Sequence, residues 1–561
     1  MTRFLQDIPK PIWIFSTIWF ILGCLQAGLM ELHPDEAYYW QMSRFMDWGY
    51  FHQPPMVAVF IKAGYALFQN ELGVRLVTVI CSSIGVLLLF KLSETKDDKT
   101  FIFIYLGMVL SHAGVFMAVP DSPLIFFTLV FLALLKKYLE SDTLATAIGL
   151  GIIAAALMYS KYHSVVLFGS VLLAQPKLLL RKSFWITVIV GVALFTPHIL
   201  WQFDNDLVSF KYHWLRRNKA GWEPLLVLNY VGSQLLLFGP LGLLLLYYIL
   251  KKGLTSSFER VLLFVMAGFI GFFLILSFRG RVEANWTASA FVPLIILGTK
   301  ALASNKTNRY FKPLSIGTAI VLIAARIYLI TPVAGKGLNV NFPFSGWSNW
   351  AEAIKTKADS RPVFFSASYQ LASEYSFYSG EQGFHFGPAN YDGNQFELWN
   401  IDTAAFDKPI ALVLPIGEDP KKAVSVDGFQ TYYMYDIPAY HSYRNVRFDL
   451  EGEDRVSEAN QVFELNTTIS NHSTETIDLK KLTGERPIKV IFYIKGQYHP
   501  AQFVACPDCI GVLRSGESKP VSFAFKSPPV SGDYLIRFGF DFDLGMPEQN
   551  SEFVKFKVIG E

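Results

Sequence analysis

Two acids stand side by side near the start of the chain, in His33-Pro34-Asp35-Glu36-Ala37-Tyr38-Tyr39-Trp40. Adjacent carboxylates can take a proton from a hydroxyl nucleophile or hold a divalent cation. Proline followed by acids also describes the plain start of a helix, where carboxylates complement the helix dipole. That plain reading leaves the rest of the stretch unexplained. With Trp48, Tyr50 and Phe51 it is long, acidic and aromatic, whereas connections are short by default. A second acid, Asp121 in Val119-Pro120-Asp121-Ser122-Pro123, has the same two readings, a helix cap or a functional carboxylate. Cations complete the set: Lys161 in Ser160-Lys161-Tyr162, the pair Arg216 and Arg217, and Arg279-Gly280-Arg281-Val282-Glu283-Ala284-Asn285-Trp286. In the last of these, two guanidiniums, a carboxylate (Glu283) and an amide (Asn285) meet beside an interfacial tryptophan, which suits a phosphate and a sugar.

The elements that must position these residues are membrane helices. Of the 561 residues 52% are hydrophobic and 17% charged, a composition unlike that of an average soluble protein. A net charge of +3 without an arginine-rich block argues against nucleic acid as a partner. Apolar runs predict about eleven spans, near 11–30, 72–90, 100–118, 122–135, 144–160, 163–176, 183–201, 225–250, 261–278, 287–304 and 313–331. The first reads as a retained helix, since Cys24-Leu25-Gln26-Ala27-Gly28 is a poor cleavage context. Lysine and arginine concentrate in alternate connections: Lys91 to Lys99, Lys136 and Lys137, Lys177 to Lys182, Lys251 to Arg260, and Lys300 to Lys312. Those connections are expected on the cytoplasmic side. The acids and the remaining cations then share the outer face, together with everything beyond 335. Cations on that face run against the topology rule, and an anionic partner would account for them; for Lys161 the plain alternative is a lysine that snorkels.

The chain after the last span reads as ordinary globular sequence in two parts. Expected boundaries are 1–334 for the transmembrane domain, 335–440 for a small α/β domain and 441–561 for a β-sandwich, the last from alternating segments such as Tyr534 to Phe540. Cys506-Pro507-Asp508-Cys509 has three readings: a redox motif, half a zinc site or a local disulfide. Without further cysteines or a thioredoxin-like pattern, a disulfide stapling a turn is favoured.

Several motifs together resemble the bacterial aminoarabinose-transferase and protein O-mannosyltransferase superfamily. They are His33 to Trp40, Trp48-Gly49-Tyr50-Phe51, Pro54-Pro55-Met56, Pro120-Asp121-Ser122-Pro123, Ser160-Lys161-Tyr162 and Glu283-Ala284-Asn285-Trp286, matching in order and topology over nearly all of 1–330. Tyr369-Gln370-Leu371-Ala372-Ser373-Glu374 with Phe377-Tyr378 is similar to the small exported domain of many members.

The resemblance implies a C-type glycosyltransferase fold at the bacterial inner membrane with its site on the periplasmic side. It implies a polyprenyl-phosphate sugar donor and a lipid (lipid A-like), glycan or protein acceptor. By that analogy Asp35 is the catalytic base, and Glu36 and Asp121 position donor, acceptor or metal. Lys161, Arg279 and Arg281 balance the phosphate leaving group. One departure stands out. Aminoarabinose transferases commonly carry Glu-Lys before the paired prolines, where this chain has His52 and Gln53. His52 could ligate a divalent metal in place of the glutamate, but an aminoarabinose donor does not follow. A transporter or flippase of lipid-linked sugars is the competing class for a polar site within a helical bundle.

Overall fold

The computed structural model describes residues 7–114, 116–216, 223–303, 310–331, 344–366, 368–388, 393–450, 455–479, 488–494, 497–498, 502–509, 511–540 and 547–560. Among these, eight helices are long and apolar enough to cross a membrane. They are α1 (Lys10–Leu29), α4 (Glu71–Leu92), α7 (Asp121–Glu140), α10 (Lys182–Asp204), α11 (Pro224–Lys252), α12 (Ser257–Ser277), α13 (Phe291–Ala303, preceded by the 3-10 turn Ala284–Ala290) and α14 (Phe311–Ile330). At about 1.5 Å per residue, helices of this length match a hydrocarbon core of about 30 Å. This is a multi-pass membrane protein. Three shorter apolar helices accompany them: α3 (Met56–Tyr65), α8 (Leu144–Ser160) and α9 (Ser164–Ala174). α2 (Pro34–Arg44) carries the paired acids.

The expected span 100–118 is two helices, α5 (Asp98–Leu106) and α6 (Val109–Ala113). The break has a local cause. Ser111 Oγ donates to the Tyr105 carbonyl at 2.5 Å, and His112 Nε2 lies 2.8 Å from that of Leu106. Side chains thus satisfy carbonyls that a continuous helix would have paired, which makes irregular backbone tolerable at membrane depth. α11 is broken in another way, by Pro240 after Gly239, whose φ of 65° is costly for any residue with a Cβ.

The helices are tied at both ends. At one end of α4, α7, α12 and α13, Glu94 takes ion pairs from Lys136 and Lys300 at 2.7 Å each, and Lys300 also meets Glu259 at 2.7 Å. Burial pushes the Glu94 carboxyl up, and the two ammoniums more than reverse that and hold it below its ordinary range. The opposite ends of α4, α7 and α13 carry Arg75, Asp121 and the 284–290 turn.

The chain forms two compact units. One is 1–352 with 373–380 and 426–429; the other is 353–372, 381–425 and 430–561. The second unit holds a five-stranded sheet in the order β2-β1-β3-β5-β4, made of β1 (Val363–Phe365), β2 (Gly383–His385), β3 (Ile410–Leu414), β4 (Ala423–Val424) and β5 (Tyr432–Ile437). β1 pairs in parallel with β2 and β3, so Phe364 lies between Phe384 and Leu412. Its other part is a sandwich. One sheet is β9 (Ser518–Lys526), β7 (Val462–Asn471) and β6 (Val446–Asp449); the facing sheet centres on β8 (Ile488–Ile494), β10 (Gly532–Phe540) and β11 (Val554–Ile559). Alternation turns Val521, Phe523 and Phe525 of β9 inward, where Phe523 meets Phe538 at 4.9 Å between ring centroids. Cys506 and Cys509 form a disulfide and are both buried, as a turn staple requires.

Candidate active site

The site begins with α2, whose start is specified twice. The His33 side chain accepts from Asp35 N at 3.2 Å, and Glu36 accepts from His33 N at 3.1 Å, a reciprocal cap with Pro34 in the first turn. Glu36 does more than cap. Its Oε1 accepts from Arg75 Nε and from Ala118 N, each at 2.8 Å, and its Oε2 from Arg75 Nη2 at 2.6 Å. Arg75 spends its other donors on the carbonyls of Ala27, Met30 and Glu31 at 2.5 to 2.9 Å. Both side chains are fully buried, and such a pair is tolerable only when saturated in this way. Burial pushes the Glu36 carboxyl up, and Arg75 more than reverses the push, holding it below the ordinary carboxylate range. Glu36 therefore cannot touch donor, acceptor or metal as expected of it; it positions. It pins the start of α2 against the backbone that leads to Asp121.

Asp35, its neighbour, points the other way. Its side chain is 43% exposed, with Oδ2 3.8 Å from His33 Nδ1. Sequence adjacency conceals this difference, because consecutive residues on a helix face directions about 100° apart.

Asp121 is the first residue of α7, yet no side-chain cap forms there. Its oxygens go elsewhere. Lys161 Nζ donates to Oδ1 at 2.8 Å and to Oδ2 at 2.9 Å, and Asn285 Nδ2 donates to Oδ2 at 2.7 Å. Three motifs separated by 40 and 164 positions thus meet on one carboxylate. The structure does not bring all of the late cluster with them. Arg281 pairs with its own neighbour Glu283 at 3.1 Å and is 79% exposed. Arg279 is exposed as well. Trp286 packs against His163 and Phe273, at 4.9 and 5.4 Å between ring centroids, so its indole serves the helical core.

The aromatic stretch after α2 is fastened by a relay that sequence reasoning missed. His198 Nδ1 lies 2.7 Å from the Trp48 carbonyl and must carry its proton there, leaving Nε2 to accept from Tyr162 Oη at 2.9 Å. Gln202 donates to Tyr162 Oη at 3.0 Å and to Ser209 Oγ at 2.7 Å, and Ser209 donates to the Tyr50 carbonyl at 2.9 Å. The residue after Lys161 is thereby linked to the 48–50 loop. Trp201 adds a bond from Nε1 to Asp47 Oδ2 at 2.7 Å, and its ring lies against Gly49. The two polar residues of α10 after Pro197, His198 and Gln202, were the available signal.

His52 sits among aromatic rings, 3.5 Å from Tyr38 Oη through Nδ1 and 4.6 Å from Tyr212 between centroids. Among the described residues no three His, Cys, Asp or Glu side chains converge into a group that could hold a metal ion. Arg217 lies outside the described residues.

The helix that bears the Tyr369 to Glu374 motif, α15 (Tyr369–Ser379), contributes residues 373–379 to the first unit. Tyr378 Oη accepts from Leu32 N at 2.7 Å, and Phe377 meets Trp40 edge to face at 5.0 Å. Glu374 is fully buried and neither oxygen has a hydrogen-bond partner among the described residues. Burial, with Glu31 and Glu36 close by, holds its carboxyl well above the ordinary range.

Residues 52–201, which include Asp121, Lys161 and His198, match the family model described as dolichyl-phosphate-mannose-protein mannosyltransferase. The lipid A galacturonosyltransferase RgtD of Rhizobium johnstonii is 25% identical over 305 residues, covering 50% of this chain and 62% of that protein. By sequence the chain is thus similar to glycosyltransferases over these segments, and it spans less than two thirds of the length of the Rhizobium protein. Solved structures share its fold. ArnT from Cupriavidus metallidurans in the apo state superposes with a TM-score of 0.55 at 15% identity, covering 75% of this chain and 97% of that one. The same protein bound to undecaprenyl phosphate gives 0.54 at 14% identity, with the same coverage of each chain. The family description and the Rhizobium relative are both transferases by name, and the transporter alternative gains nothing from them.

Proposed function

We propose that the protein transfers a sugar from a polyprenyl-phosphate donor to a lipid acceptor of the lipid A class at the periplasmic face of a bacterial inner membrane. The observation that carries the proposal is the division of labour among the acids. Asp121 gathers Lys161 and Asn285, Glu36 is sealed by Arg75, and Asp35 keeps an exposed carboxylate at the start of the helix that Glu36 pins beside them. The match to the mannosyltransferase family model, and the undecaprenyl phosphate bound by the superposed ArnT, support this choice of donor class.

In this reading Asp35 accepts the proton of an acceptor hydroxyl while that oxygen attacks the anomeric carbon, and the bond to the carrier phosphate breaks with inversion. An acceptor phosphate would attack without needing the base. The departing phosphate is met by cations. Lys161 gives two of its three N–H donors to Asp121, which leaves one for the ligand, and the exposed Arg279 adds positive charge. Asp121 and Asn285 hold Lys161 in place. Glu283, Asn285 and Arg281 are the polar groups nearest in sequence for the sugar.

The test is transfer of radiolabelled sugar from a defined polyprenyl-phosphate donor by the purified protein. Asp35→Asn is expected to lose transfer by a factor of about 10² to 10⁴, the usual contribution of a general base. Full transfer by that variant removes Asp35 from its role. Donor movement across a vesicle membrane without product would favour a transporter.

A further inference from the structure

Residues Met30 to His33 join α1 to α2, and both ends of this link are extended. Extended backbone between helices has donors and acceptors that no helix pairs, and where they are buried their partners must come from elsewhere. Arg75 supplies them for the carbonyls of Met30 and Glu31, and Glu36 for the N–H of His33. The N–H of Leu32, a fully buried residue, is met from 346 positions away, by Tyr378 Oη at 2.7 Å. Asp35 follows three residues after Leu32.

Tyr378 does not act on this region by itself. Residues 373–380 belong to the first unit, as α2 does. Phe377 meets Trp40 of α2 edge to face at 5.0 Å, reaches Tyr65 of α3 at 6.3 Å, and lies 4.9 Å from Tyr378 between ring centroids. Successive residues of a helix point about 100° apart, so Tyr378 holds the link into α2 while Phe377 holds its body.

The plain alternative is a hydrogen bond that stabilises the fold and has no bearing on Asp35. Placement argues against it. α2 is only 11 residues long, its first turn carries Asp35, and both contacts fall on that helix or on the link into it. A general base must lie within hydrogen-bond reach of the proton it takes, and a displacement of about 1 Å can cost about 10² in rate.

We propose that Tyr378 is a positioning residue for the transfer: through the Leu32 amide, and with Phe377 beside it, it sets the pose in which α2 presents Asp35. The inference rests on Asp35 being the base.

Kinetics of the purified full-length protein test it, with Tyr378→Phe made both in the wild type and in Asp35→Asn. Alone, Tyr378→Phe is expected to lower kcat about tenfold with the donor KM unchanged, the pattern of a contribution felt in the transition state. Combined with Asp35→Asn it should slow the residual transfer no further, because the group it positions is gone. A bond that only stabilises the fold lowers both rates by the same factor, and that result overturns the proposal. Transfer by Tyr378→Phe at the wild-type rate, with Asp35→Asn slow, overturns the positioning alone; full transfer by Asp35→Asn overturns the base and the proposal with it. Hydrogen exchange read by mass spectrometry gives a measure apart from activity. Residues 30–36 should exchange faster in Tyr378→Phe, and unchanged protection there overturns the tether. Should Tyr378→Phe not fold, Phe377→Leu keeps the hydroxyl and releases Trp40; it should slow transfer only where Asp35 is present, and an equal loss in both backgrounds overturns the proposal.

Discussion

What separates a functional acid from a structural one here is where its oxygens go. Asp121 opens a helix and would pass for a cap, but its carboxylate leaves the helix end and collects Lys161 and Asn285. Glu36 shows the reverse: beside the exposed Asp35 it is enclosed by Arg75 and by two backbone N–H groups. The consequence is sharp. Arg75→Met leaves a buried, uncompensated carboxylate and should cost about 3–5 kcal/mol, read as a lower melting temperature of the purified protein. Adding Glu36→Leu should recover part of that loss, because the stranded charge goes with it; a double variant less stable than Arg75→Met alone would show that Glu36 is not the group left stranded. Arg75 was available to sequence reasoning as the one arginine inside the apolar run Glu71–Leu92, where a charge implies a partner. The identity of that partner was not, because 39 positions separate the two.

At the level of elements, hydropathy located the helices because a bilayer imposes length and apolarity on each segment separately. What it could not reveal was how connections pack, and those carry the chemistry. The 100–118 segment breaks where Ser111 and His112 turn back on the carbonyls of Tyr105 and Leu106, a local competition that mean hydropathy ignores. The sharpest packing constraint on the aromatic loop is at Gly49. A Cβ there would stand 2.3 Å from Cε3 of Trp201, whose indole is held by Asp47. Gly49→Ala should therefore force the loop off α10 at about 1–3 kcal/mol, the usual cost of overpacking, and reduce transfer with it. Shortening Trp201 to leucine in the same chain should restore part of the stability. Calorimetry of the single and double variants checks this, and a Gly49→Ala protein as stable as the wild type would mean that the ring yields without cost.

On the scale of the whole molecule, polar burial sets conditions outside the membrane as well. In the second unit Glu548 is fully buried where β10 meets the chain entering the sandwich, and accepts from Tyr443 N at 2.7 Å. Burial pushes its carboxyl up from 4.5 to about 8, in spite of that bond and of Arg444 nearby. Arg444 itself is engaged by Asp402, to which Tyr440 also donates at 2.9 Å, so it is not free to neutralise a second acid. The sign follows from proton binding. Between about pH 4.5 and 8 the folded unit holds a proton that the unfolded chain has released. The stability tied to that proton is fully present below about 4.5, falls as pH rises, and is lost once pH passes about 8. Glu548→Gln keeps a neutral group of nearly the same shape at every pH. The melting temperature of the full-length variant should match the wild type at pH 4.5 and exceed it progressively toward pH 8.5, and two parallel curves over that range would place the buried proton elsewhere.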